Sequence, residues 1–199
     1  MQDLLQPCAT LPVMLVAGID ISERRGQTVA LLDDASLTVA LHLVRGRERV
    51  AEIEAVVRLV CGRSVDVVAI DSLLQPSRRL LRDGEVRRAL GLPDRRGMNG
   101  LVYANYRVCD YELIRRGMPL YQVAAEEAAA APWMRVGFDL AAALRRAGYR
   151  LPADTTDHSA SLIEVFPDAA FVTLLGARPA RKRLPEGRAQ RRAILQAAG

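Results

Sequence analysis

Between Ser64 and Asp71 the chain runs Val65-Asp-Val-Val-Ala-Ile70, an almost unbroken β-branched stretch that stops on an acid. A run of this kind marks a strand buried on both faces, as in the parallel part of a sheet. Val13 to Ile21 is a second β-rich run, bounded by Pro12 and by Ser22-Glu-Arg-Arg-Gly26, and it reads as a strand entering a turn. Gln27 to Leu32 and Leu37 to Val44 follow as two more apolar runs, separated by the turn cluster Asp33-Asp34-Ala35-Ser36. These three early strands form an expected antiparallel meander.

From Arg47 the period changes. Val50, Ile53, Val57 and Val60 recur at helical spacing with Glu52, Glu54 and Arg58 between them, which predicts an amphipathic helix before the Val65 strand. Residues 72 to 100 are rich in Arg, Gly and Pro and are expected to form a surface excursion containing a short helix. Ala104 to Arg116 and Ala124 to Ala147 read as helices, the second interrupted at Pro132 and ended by Gly148. Ser161 to Phe166 is the last strand, Pro167 opens a helix that Gly176 ends, and a basic helix starts near Glu186. The order β-β-β-α-β-α-β-α is that of the ribonuclease H-like fold. It predicts an α/β protein with a mixed five-stranded sheet in the order 3-2-1-4-5, flanked by helices. The 199 residues are expected to form one such domain with a helical insertion at about 76–150.

Asp20 and Asp71 each close an apolar strand, and Glu164 interrupts a third in Leu162-Ile-Glu-Val-Phe-Pro167. Neighbouring parallel strands lie roughly 4.8 Å apart, so acids at their common edge can share one hard divalent cation. Asp20, Asp71 and Glu164 are therefore the expected metal ligands, and an oxygen-only set favours Mg²⁺ or Mn²⁺ over zinc. The chemistry that uses such a cluster is phosphodiester hydrolysis, in which metals activate a water and stabilise the leaving oxygen. Against this stands the plainer role of a strand-end acid, which caps a helix or meets an Arg. Asp110, in Arg107-Val-Cys-Asp110, either supports the site or pairs with Arg107 at i,i+3.

The net charge is +5, and Lys182 is the only lysine, so the basic side is almost entirely Arg. Arg107, Arg181, Lys182 and Arg188 are the expected phosphate-binding residues of a nucleic-acid track, set against the alternative of a solvated basic face. Tyr103, Tyr106 and Tyr111 either stack bases or pack on the core. His42 and His158 join no Ser or Cys motif, and Cys8, Cys61 and Cys109 form neither a CxxC pair nor a zinc spacing. Leu11 to Ile19 is about half of the roughly 20 residues a membrane span needs, so no membrane helix is expected. The acidic start Met1-Gln-Asp is unlike a secretory signal, and a cytoplasmic location is expected. The Ala-rich stretch around Ala124 to Ala131 offers a flat helical surface for self-association into a homo-oligomer.

In order, Gly18-Ile-Asp20, Ala69-Ile-Asp71-Ser-Leu-Leu, Arg107-Val-Cys-Asp110-Tyr-Glu-Leu-Ile-Arg-Arg-Gly117 and Ile163-Glu-Val-Phe-Pro-Asp-Ala-Ala-Phe171 resemble the family called domain of unknown function 429. That family is described as predicted ribonuclease H-like nucleases. The resemblance implies the same fold, catalytic acids at Asp20, Asp71, Asp110 and Glu164 with Arg107 beside them, a divalent metal, and nucleic acid as substrate. Members often carry further acids in a C-terminal helix. Here that helix is basic, so either Asp168 substitutes or the domain binds nucleic acid or protein without catalysis. An actin-like phosphotransferase, suggested by Gly18-Ile-Asp-Ile-Ser22, would need a second lobe and Gly-rich phosphate loops that the chain lacks.

Overall fold

The computed structural model describes residues 14–92, 106–118, 120–154 and 160–198. Five strands are formed: β1 (Leu15–Asp20), β2 (Gln27–Asp33), β3 (Thr38–Val44), β4 (Val67–Asp71) and β5 (Ser161–Glu164). They make one mixed sheet in the order β3-β2-β1-β4-β5. Among the described residues, six α-helices accompany it: α1 (Arg49–Gly62), α2 (Gly84–Ala89), α3 (Val108–Arg115), α4 (Pro132–Arg146), α5 (Pro167–Leu175) and α6 (Pro185–Ala198). No helix among the described residues is long and apolar enough to cross a membrane. The expected α/β architecture and strand order are those observed.

The chain divides into two compact units, residues 1–70 with 139–163, and residues 71–138 with 164–199. In the first unit, β1 and β2 pair antiparallel with Gly18 opposite Ala30 and Asp20 opposite Thr28. Side chains alternate across a strand, so Ala17 and Ile19 of β1 and Val29 and Leu31 of β2 point into the core. The same alternation leaves Asp20 exposed at the end of β1. α1 contributes Ile53, Val56 and Val60 to this core; of the expected apolar positions, Ile53 and Val60 are buried, whereas Val50 is exposed and Val57 only partly covered. β4 departs from the expected fully buried strand: Val68 and Ile70 are fully enclosed, whereas Val67 and Ala69 are only partly so. The edge strand β3 leaves Val39, Leu41 and Leu43 exposed.

In the second unit, Leu81 and Tyr106 form a small buried cluster against which Val108, Tyr111 and Ile114 of α3 pack. Tyr106 and Tyr111 thus belong to packing rather than to an open stacking face. A second cluster joins Ala130, Met134 and Phe138 to Leu73 and Trp133. The helix expected from Ala124 is not there. Residues 124–131 hold only a short 3₁₀ turn at Glu127–Ala129, and α4 begins at Pro132. Proline disfavours helical backbone in the residue before it and is well suited to a first helical position, which outweighs the intrinsic preference of four consecutive alanines. The flat Ala-rich helical surface expected for self-association is therefore absent. α3 begins at Val108: Tyr106 and Arg107, expected within that helix, precede it without helical structure, and Ala104 and Asn105 lie outside the described residues, as do Cys8, Arg95, Arg96, Tyr103 and His158.

Tyr149 anchors the return of the chain into the first unit. Its hydroxyl donates to the Val65 carbonyl oxygen at 2.7 Å, and the ring is buried. Burial, reinforced by Cys61 and Asp66, pushes the phenol up from 10.0 to about 12. The folded state then keeps a proton that the unfolded chain has lost, so stability must fall as pH rises between those values. Chemical denaturation from pH 9 to 12 is expected to show this decline in the wild type. Tyr149→Phe is expected to be about 1 kcal/mol less stable at neutral pH and to decline less steeply; equal slopes would contradict the assignment.

Candidate functional site

Two strand ends and one helix start supply the polar side chains of a cavity of about 540 Å³ in the second unit. Asp71 ends β4, Glu164 ends β5, and Arg107 and Asp110 open α3; all four line the cavity. Asp110 accepts the backbone N–H of Arg107 at 3.2 Å and so caps its own helix. Its carboxylate also accepts from the Arg107 side chain, Nε at 2.9 Å and Nη2 at 2.8 Å. The guanidinium then reaches 57 residues along the chain to Glu164, with Nη1 to Oε2 at 2.8 Å and Nη2 to Oε1 at 2.5 Å. Glu164 Oε2 accepts the Leu74 N–H as well, at 3.2 Å.

Arg107 and Asp110 are shielded from water, and Glu164 is the more exposed partner. Side-chain exposure is 16% for Arg107, 5% for Asp110 and 29% for Glu164. Burial alone would pull the guanidinium down, but the hydrogen bonds to Asp110 and Glu164 outweigh it and hold Arg107 above its ordinary value. Desolvation pushes the neighbouring Cys109 thiol up, partly opposed by Arg107, and its sulfur donates to Asp110 Oδ1 at 3.8 Å. Asp110 therefore makes the i,i+3 pair with Arg107 and also lines the cavity.

The walls are apolar and aromatic, with Leu113, Leu120, Tyr121, Trp133 and Phe166 among them. Tyr121 meets Trp133 edge to face, ring centroids 5.8 Å apart. Trp133 is placed by the first turn of α4, and α4 comes close to the β4 exit because Gly137 has no side chain. A Cβ there would lie 2.3 Å from Ser72 Oγ and 2.6 Å from the Leu73 carbonyl oxygen. Ser72 Oγ, at the same wall, is buried without a hydrogen-bond partner among the described residues.

A second cavity of about 790 Å³ in the same unit has the opposite character. Arg116, Arg178, Arg181, Lys182, Arg183 and Arg191 line it against the single acid Asp168. Arg191 is structural: Nη1 donates to the carbonyl oxygens of Ala180 and Gly187, Nη2 to Asp168, and the guanidinium lies over the Phe171 ring. Gly187 lets α6 approach this segment, since a Cβ there would sit 2.3 Å from the Arg181 carbonyl oxygen. The other five cations are exposed, and among the described residues none pairs with a carboxylate. Arg181 and Lys182, expected to bind phosphate, line this cavity. Arg188 does not line this cavity and donates to the Arg183 carbonyl oxygen instead.

Asp20 belongs to the first unit, whereas Asp71, Asp110 and Glu164 share a cavity of the second. Among the described residues, no group of three or more His, Cys, Asp or Glu side chains is placed to hold a metal ion. Glu164, expected as the third ligand, has both oxygens on Arg107. Arg107, expected on substrate phosphate, is held by carboxylates. Asp168, the candidate substitute acid, pairs with Arg191 at 3.3 Å. The aromatic wall went unnoticed in the sequence because Tyr121, Trp133 and Phe166 share no period.

The family model described as protein of unknown function (DUF429) matches residues 18–198. The chain belongs to the DUF429 family. Its span takes in both cavities and every strand end just described. No curated protein and no solved structure matches the chain.

Removing the guanidinium leaves a buried carboxylate without its counter-charge, which typically costs about 3 kcal/mol or more. Arg107→Ala is therefore expected to destabilise the protein by about 3 kcal/mol in urea denaturation, and Glu164→Gln, which keeps an acceptor in a more exposed position, by about 1 kcal/mol. Equal losses for the two variants would show that Arg107 does not hold the cavity floor.

Proposed function

We propose that this DUF429 chain is a nucleic-acid-binding domain with a ribonuclease H-like sheet. The observation that supports it is the basic cavity, whose wall holds five exposed cations that have no carboxylate partner among the described residues. Unpaired guanidinium and ammonium groups gain most from phosphate oxygens, which accept two N–H bonds from one Arg and release condensed counterions on binding. A polyanion of the cytoplasm, DNA or RNA, is the partner this chemistry selects.

A second reading, a divalent-metal-dependent nuclease, is favoured by Asp71 and Glu164 sharing one cavity in which three acids face one Arg. The donors are all oxygen, as Mg²⁺ or Mn²⁺ would require. The arrangement does not fit a three-carboxylate site, because Arg107 already supplies the positive charge between Asp110 and Glu164. We derive no catalytic step through a metal.

Labelled single-stranded and duplex DNA and RNA titrated at several salt concentrations test both readings. Binding is expected to weaken steeply with salt, and the double substitution Arg181→Ala with Lys182→Ala is expected to lower the log–log slope by about 2. Binding that ignores salt and both substitutions would overturn the proposal. Strand cleavage in Mn²⁺ that Asp71→Asn abolishes would move the assignment to the nuclease.

A further inference from the structure

The two cavities of the second unit share a wall residue. Phe166, at the start of α5, lines the acid-floored cavity and the basic one alike. The two spaces beside it select opposite chemistries. In the first, three carboxyl groups repel phosphate, while Trp133, Tyr121 and Phe166 offer aromatic surface. Arg107 directs four of its N–H bonds to Asp110 and Glu164. A guanidinium has five in all. Glu164 Oε1 accepts only one of these bonds and keeps capacity for a further donor, and Ser72 Oγ, buried at the wall, has no hydrogen-bond partner among the described residues. A flat ring bearing an amino group meets these demands: its faces stack on aromatic side chains and its amino hydrogens reach carboxylate oxygens. In the second cavity, Arg181 and Lys182 belong to the exposed cations without carboxylate partners and favour an anion. Both volumes, about 540 and 790 Å³, fall in the range of small-molecule sites.

One chemical class carries an amino-bearing aromatic ring at one end and a phosphate at the other. We propose that the second unit binds a nucleoside phosphate, its base in the acid-floored cavity against Trp133 and Phe166 and its phosphate beside Arg181 and Lys182. The inference deepens the nucleic-acid-binding reading and rests on it: it assigns base and phosphate to separate cavities. The nucleoside phosphate is either a free nucleotide or one unit of a single strand. Cleavage plays no part in it.

Trp133 is the only tryptophan of the chain, so its emission reports the base cavity directly. The full-length protein is titrated with adenosine monophosphate, adenosine and a short oligoadenylate, followed by Trp133 fluorescence and by calorimetry. Adenosine monophosphate is expected to bind saturably and to change Trp133 emission. Arg181→Ala with Lys182→Ala is expected to weaken it by about tenfold or more while leaving adenosine unchanged, since only the phosphate loses charged partners. These two side chains are exposed, so the variant keeps its fold. Oligoadenylate binding tighter than the monophosphate identifies a strand as the source, and equal or weaker binding identifies the free nucleotide. Oligoadenylate binding with Trp133 silent, and no binding of the monophosphate, overturns the inference and leaves the broader reading standing. Failure of every probe overturns both.

Discussion

A single guanidinium organises the polar side of this molecule. Arg107 lies between Asp110 and Glu164 and bonds both, joining the start of α3 to the end of β5. An ammonium would not do the same work, because only the planar fork presents its donors along two edges at once. Desolvating such a cluster is costly, and it persists because each charge finds geometrically matched partners and because Asp110 also satisfies its own helix terminus. The cavity floor is consequently a fixed network of paired charges.

The charge separation between the two cavities follows from which segments line them. Strand ends bring acids, because an acid can stop an apolar strand by emerging into solvent. The stretch from Arg178 to Arg183 brings cations, and α6 holds it in place through Arg191, Gln190 and Gly187. Neither cavity needs the other's chemistry to form. Phe166 lines both, so the two cavities share a wall residue.

Much of the architecture was legible because it rests on local periodicity. The alternation in β1 and β2, the helical spacing of Ile53 and Val60 in α1, and the Pro167 and Gly176 boundaries of α5 are all set by near neighbours. The Ala-rich segment misled because propensity lost to one proline. At the site, the acids Asp71, Asp110 and Glu164 stood out as strand-end and motif residues, and the three line one cavity. What they bind to did not. Whether a carboxylate faces a cation or a guanidinium depends on a contact between residues 57 positions apart, which no local pattern encodes. The aromatic wall was hidden for the same reason.

The account depends on Arg107 and Glu164 acting as one unit, and a double-mutant cycle measures that coupling. Stabilities of the wild type, Arg107→Ala, Glu164→Ala and the double variant should give an interaction energy of about 1.5 kcal/mol or more, as for residues sharing one charged network. Additivity within about 0.3 kcal/mol would mean that the two side chains ignore each other, and the fixed charge network of the floor would have to be abandoned.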